Sequence, residues 1–336
     1  MSTDAANSFP SPSTVSTLTP QVPSALGSRR VFWGDMILAS LARLGAATIL
    51  LMLVALLAVL LRASLPSIRT FGARFVTDST WRPNELTHNK RDAQGKLVRD
   101  EDGQNVVEID PPRFGALPVI YGTVLSSVLS LFFAVPLSIG TALFLVRIAP
   151  RVSLHLMAVV SFLVEFLAAI PSIAYGIWGV FVLVPLLGMN MLCGGLILGI
   201  MILPIITSIS RDVLKAVPRV QIEGTQALGA TWWQSSVQML RYSRAGLFGA
   251  IMLGLARASG ETMAVAMVIG NVPQIKASLL FPAQTMSSLL ANEFAEANTP
   301  LHVAALSEVA LILLMMSLLF NVVARYLVVG KQVQTA

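Results

Sequence analysis

Six apolar blocks, each long enough to cross a hydrocarbon core, set the pattern of the chain. They run over about Ile37–Leu61, Val119–Val146, Leu154–Leu187, Met191–Ile209, Ala245–Ile269 and Val303–Val329. A crossing takes roughly 20 residues at 1.5 Å of helix rise each, so the pattern predicts an all-α integral membrane protein of about six transmembrane helices. The third block carries Pro171, Gly176, Gly179 and Pro185, which predicts a kink or break. Membranes admit such breaks where protein or water satisfies the freed backbone groups. Residues 1–28 hold fifteen Ser, Thr or Pro, a composition that cannot offset the entropy of ordering and predicts a disordered tail. The first block follows Arg29 and Arg30 and is too long for a signal-peptide core, so it is expected to remain as an anchor.

Between the first two blocks lies a polar stretch. Within it, Lys96–Arg99 and Asn105–Ile109 flank Asp100-Glu-Asp-Gly103, which predicts a small β-hairpin. The expected organisation is a tail over 1–28, a first transmembrane helix over 29–63 and an external loop over 64–113. A five-helix membrane domain over 114–330, with a cytoplasmic loop at 211–244, and a short cytoplasmic tail over 331–336 complete it.

Composition agrees with lipid as the solvent: 55% of the 336 residues are hydrophobic, 12% are charged and the mean hydropathy is +0.75. The basic residues fix an orientation. Arg29, Arg30, Arg147, Arg151, Arg211, Lys215, Arg219, Arg241, Arg244, Arg325 and Lys331 fall on one side, against Lys276 in the short loops of the other. Positive residues stay inside, so both termini are expected in the cytoplasm. The stretch from Arg62 to Arg113, with nine basic and eight acidic residues, is expected outside. The net charge of +6 is spread over short loops and forms no run that would suit nucleic acid. One cysteine, Cys193, permits no internal disulfide. His88, His155 and His302 show no metal-ligand spacing, so no metal or cofactor is expected. No G-x-x-x-x-G-K-[ST] phosphate loop is present. Any nucleotide energy must then come from a partner.

Two segments carry the functional signal. The longest cytoplasmic loop reads Glu223-Gly-Thr-Gln-Ala-Leu-Gly229-Ala-Thr-Trp-Trp233, in which a helix ending at a glycine can transmit a rigid-body push and then turn sharply. The fifth block reads Gly249-Ala-Ile-Met-Leu-Gly-Leu-Ala-Arg257-Ala-Ser-Gly-Glu261-Thr-Met-Ala-Val. Arg257 and Glu261 are four apart and so predicted on one helix face, at a depth of roughly 18 Å in the span. Charges there are costly and usually line an interior path, or pair with one another to let the helix insert. A guanidinium can also hold a tetrahedral oxyanion through two parallel hydrogen bonds. Glu165 and Glu308 are further intramembrane carboxylates. Gly249, Gly254, Ala258 and Gly260 suit close helix packing, and Trp178, Trp232 and Trp233 suit the membrane interface.

The first segment resembles the EAA loop of ABC importer permeases. The second resembles the fifth helix of the PstC-type phosphate permeases, with the pattern G-L-x-R-A-x-G-E-T-M-A-V. Phe114-Gly-Ala-Leu-Pro-Val-Ile-Tyr-Gly-Thr123, Ala168-Ala-Ile-Pro-Ser-Ile-Ala-Tyr-Gly-Ile-Trp-Gly179 and Ser287-Ser-Leu-Leu-Ala-Asn-Glu-Phe-Ala-Glu-Ala297 extend the resemblance over about 110–328. Two departures stand out: Arg241-Tyr242 replaces the family's closing Leu-Pro, and about 84–112 reads as an insertion.

The resemblance implies a type I ABC importer arrangement with several partners. These are a homologous second permease, two copies of an ATP-binding subunit, a periplasmic phosphate-binding protein and the lipid of the bacterial inner membrane. It assigns Glu223, Gly224, Ala227 and Gly229 to coupling with the ATPase, while the charge and guanidinium chemistry given above places Arg257 and Glu261 in the substrate pathway. The chain would be a transport subunit and not itself an enzyme. By residue chemistry alone, another oxyanion such as sulfate or molybdate fits Arg257 equally. A secondary transporter would leave the 211–244 loop without a use, and no nucleophile or metal set supports an intramembrane enzyme.

Overall fold

Helices dominate because the apolar blocks leave the backbone no partner but itself. The computed structural model describes residues 33–89 and 107–332, and thus neither the 1–28 tail nor the expected 96–99 strand. The helices are α1 (Trp33–Phe71), α2 (Arg74–Thr77), α3 (Leu117–Leu143), α4 (Ala149–Val152), α5 (Leu154–Ala169), α6 (Ser172–Trp178) and α7 (Val184–Leu187). They continue with α8 (Met191–Lys215), α9 (Arg219–Ala227), α10 (Trp232–Tyr242), α11 (Arg244–Ser259), α12 (Met263–Ala266), α13 (Met286–Glu293) and α14 (Pro300–Gln332). The chain divides into two units at Val54. The described part of the first is the N-terminal portion of α1, whose Ile37, Leu41, Leu50 and Leu51 are all exposed. Apolar side chains with no protein partner of their own suit a lipid-facing helix.

Among the described residues, four helices or helix runs are long and apolar enough to cross a membrane: Trp33–Phe71, Leu117–Val152, Met191–Lys215 and Pro300–Val323. A fifth candidate is the pair Leu154–Ala169 and Ser172–Leu187, bent by 95°. The bend falls where Pro171 interrupts the predicted third span. Tyr175 Oη donates to the carbonyl of Leu167 across it at 2.7 Å, giving a freed acceptor a partner. The predicted Ala245–Ile269 span differs most from expectation. It is two pieces, α11 and α12, separated by Gly260, Glu261 and Thr262, and the 16 residues of α11 are shorter than a full crossing.

The second unit is organised around α3 and α8, the most extensively paired helices. Small residues let them approach: Gly195 faces Leu129, Gly199 faces the Ser130 carbonyl, and Ser138 Oγ donates to Leu203 O at 3.0 Å. Ile197, Leu198, Ile202 and Ile206 of α8 are buried. At the other end of α3, Gly122 lies directly against the carbonyl of Gln284, where a Cβ would collide. Next to it, Thr123 Oγ1 accepts from Met286 N at 2.8 Å, fixing the start of α13.

The polar stretch folds back on the membrane helices. Strands β1 (Trp81–Arg82) and β4 (Arg113–Phe114) pair antiparallel, as do β2 (Leu86–Asn89) and β3 (Val107–Asp110). A small antiparallel hairpin is therefore present, with 86–89 pairing opposite 107–110. Trp81 and Phe114 pack with Phe75, Met286, Leu289 and Leu306. Trp81 Nε1 donates to Glu293 Oε2 at 2.9 Å, and His302, stacked on Phe114, meets the same oxygen at 3.1 Å. His302 thus has a packing role at the start of α14.

Gly122→Val should wedge α3 from the 284–286 segment. An overpacking cost of about 1–3 kcal/mol is expected, read as a lower unfolding midpoint of the purified chain in neutral detergent. An unchanged midpoint would mean that this contact is dispensable.

Candidate functional site

The break after α11 brings the charged pair together in a way its spacing did not predict. The expectation of one continuous helix face is corrected: α11 ends at Ser259, Gly260 caps it, and Glu261 lies beyond the helix end. Glu261 still reaches back, with Oε2 at 3.6 Å from Arg257 Nη2. Its other oxygen accepts from Ala264 N at 3.4 Å, and its backbone carbonyl accepts from Ser287 Oγ at 2.6 Å. The carboxylate is thus held from α11 and α12, and the backbone of the same residue from α13.

Burial divides the pair sharply. The Glu261 side chain is 4% exposed, whereas that of Arg257 is 51% exposed in the isolated chain. A buried acid holding one edge of a half-exposed guanidinium leaves other donors of the planar fork free for an anion. Ser287 positions the Glu261 backbone, and its sequence neighbourhood carries no signal of that contact. The Ser259-Gly260 dipeptide was the available signal for the break.

The other intramembrane carboxylates separate. Glu165 on α5 pairs with Arg211 on α8 at 3.1 Å, and Arg211 also meets Asp212 at 3.2 Å. Glu308 on α14 is 6% exposed, lies beside Ser67 of α1, and has Oε2 without a hydrogen-bond partner among the described residues.

A second site surrounds α9, remote in sequence from the pair. Its residues Arg219–Ala227 carry Glu223, Gly224 and Ala227. The helix ends with Gly229 at φ +84°, where Gly229 N donates to Gln226 O at 2.9 Å and Ala230 N to Thr225 O at 3.1 Å. That left-handed conformation favours glycine and gives the helix its sharp exit. Helix α10 then starts with a reciprocal cap between Thr231 and Gln234, and Arg241-Tyr242 close it. Val220 is 75% and Leu228 91% exposed, Glu223 is exposed, and open space surrounds Gly224. A short rigid helix with uncovered apolar side chains has the form of a docking element.

Among known proteins, the chain is 37% identical over 335 residues to the phosphate transport system permease protein PstC of Mesorhizobium japonicum, covering 91% of this chain and 94% of that one. It is 34% identical to the protein of the same name from Haemophilus influenzae, covering 91% and 97%. The chain belongs to the PstC family of permease proteins. No family model matches it. Its fold is similar to a chain of the inward-facing MetNI methionine ABC transporter at a TM-score of 0.53 and 20% identity, over 62% of this chain and 93% of that one. The protein is therefore a multi-pass membrane permease of the ABC importer fold.

Replacing Glu261 tests the clamp apart from any transport. Glu261→Ala removes the ion pair and the bond from Ala264 N, and should cost about 2 kcal/mol; Glu261→Gln keeps the amide contact and should cost less. Thermal unfolding of the purified chain reads the order. Equal midpoints for the two variants would place no stability in the Ala264 contact.

Proposed function

We propose that this chain is the membrane-spanning subunit of an ATP-driven importer of inorganic phosphate. In this reading Arg257 meets the anion in the pathway and Glu261 holds its guanidinium between passages. The observation that carries it is the half-exposed Arg257 clamped by a buried carboxylate at a break in a membrane helix. The fork suits any tetrahedral oxyanion, and the printed names of the relatives favour phosphate.

Glu223, Gly224, Ala227 and Gly229 serve coupling. Helix α9 docks its exposed Val220 and Leu228 on a separate ATP-binding subunit, of which two copies serve the complex. A homologous permease completes the pathway, and a periplasmic phosphate-binding protein delivers the substrate outside. The chain lies in the bacterial inner membrane with both termini cytoplasmic and 64–113 external. Domain limits follow the sequence expectation: a tail over 1–28, a first membrane helix over 29–63, the permease domain over 114–330 and a C-terminal tail over 331–336. The loop-charge asymmetry supports this orientation.

Uptake of labelled phosphate into vesicles, normalised to complex yield, tests the pathway role. Arg257→Lys keeps the charge but loses the planar two-point geometry, and should lose uptake while assembling normally. The double variant Arg257→Leu/Glu261→Gln leaves no unpaired charge and should assemble but not transport. Robust uptake by the double variant would refute the anion role.

Coupling and orientation have their own tests. Gly229→Pro cannot adopt φ +84° and loses the donor to Gln226; it should abolish uptake and ATPase stimulation at normal membrane levels. Unchanged stimulation would sink the coupling assignment. In intact cells, an impermeant thiol reagent should label Lys276→Cys and miss Gly229→Cys, and the reverse pattern would overturn the topology.

A further inference from the structure

Beside α9 is a basic cleft of about 420 Å³ that shares Glu223 with the coupling residues. Arg147, Arg151, Lys215 and Arg219 line it, with Glu223 as its one carboxylate. Arg147 is 6% exposed and lies at the end of the Leu117–Val152 apolar run, in the π-helical turn Phe144–Ile148. Its guanidinium donates to Ser235 Oγ at 3.2 Å and Ser236 Oγ at 3.4 Å, and sits 5.8 Å from the Trp232 ring. Arg151 donates to the Arg147 carbonyl at 2.7 Å. Among the described residues, none of the four cations has a carboxylate within ion-pair distance. Four cations against one carboxylate around a single concavity focus a positive potential and attract an anion.

We propose that this cleft binds a phosphate group. Several converging cations suit a group with multiple acceptor oxygens, and a volume of this size suits a small ligand or a headgroup. The wall is also partly apolar, through Leu214, Val217 and Met239, and Val152 and Leu154 next to it are exposed. That combination at the end of a membrane span fits the headgroup of an anionic phospholipid; free inorganic phosphate shares the same chemistry. Since Ile222, Glu223 and Gln226 of α9 line the cleft, its occupant bears directly on the position of that helix. The inference rests on the orientation given above only in placing the cleft at the inner leaflet.

Binding to the purified full chain in neutral detergent tests this without transport. The probes are dioleoyl phosphatidylglycerol, zwitterionic dioleoyl phosphatidylcholine and inorganic phosphate, with native mass spectrometry and the unfolding midpoint as readouts. Phosphatidylglycerol should bind saturably and in preference to phosphatidylcholine. Arg151→Gln/Lys215→Gln should weaken it roughly thirtyfold, whereas Arg241→Gln/Arg244→Gln, which removes equal charge outside the cleft, should not. Displacement of the lipid by inorganic phosphate would assign the site to both sources; resistance to displacement would assign it to lipid, and phosphate binding alone to the free ion. Equal weakening by the two double variants, equal retention of the two lipids, or no saturable binding of any probe would overturn the proposal. Loss of uptake in the Arg257 variants with this binding intact would separate the two sites.

Discussion

The carboxylate of Glu261 is buried in a region where an ionised group is costly unless several partners hold it. Arg257, the amide of Ala264 and, through the backbone, Ser287 together supply that hold. The side chain thus ties the end of α11 to α12, while the backbone carbonyl of the same residue ties the break to α13. The rest of the arrangement depends on that interruption. The break sets Glu261 beyond the end of α11, from where its carboxylate reaches one edge of the half-exposed Arg257 guanidinium.

The helices that frame this point obey a different constraint. In lipid, apolar side chains gain little by leaving the solvent, so association relies on close packing and satisfied polar groups. The pairing of α3 with α8 follows that logic through Gly195, Gly199 and the Ser138 hydroxyl. Gly122 and Thr123 bring the chain before α13 against α3. The sharp bend at Pro171 survives because Tyr175 serves the Leu167 carbonyl. Around α9 the balance reverses: Val220 and Leu228 stay exposed, and the cleft behind the helix is lined by Arg147, Arg151, Lys215 and Arg219.

Much of this was legible in the residues. Hydropathy located the membrane helices, Pro171 located the bend, and Gly229 located the end of α9, because each reflects a local backbone or solvent constraint. The four-residue spacing of Arg257 and Glu261 predicted their pairing correctly but the wrong carrier, since apolar continuity through Ile269 masked the signal of Ser259-Gly260. The role of Ser287 was out of reach because its contact spans 26 residues and depends on tertiary packing. The same holds for Glu165, whose partner Arg211 lies on another helix. The hairpin was legible as a type of element, whereas its observed partner strand, Leu86–Asn89, depends on the Trp81 and Phe114 base seated on α13 and α14.

The central claim is that the open side of Arg257 meets the transported anion. An arginine-directed dicarbonyl reagent, followed by peptide mass spectrometry on the assembled transporter, tests it at the residue itself. The account predicts that Arg257, half exposed, is modified, that phosphate slows this in proportion to its occupancy of the pathway, and that the buried Arg147 stays unmodified in the same sample. Modification of Arg257 at one rate with and without phosphate, at concentrations that saturate uptake, would contradict it.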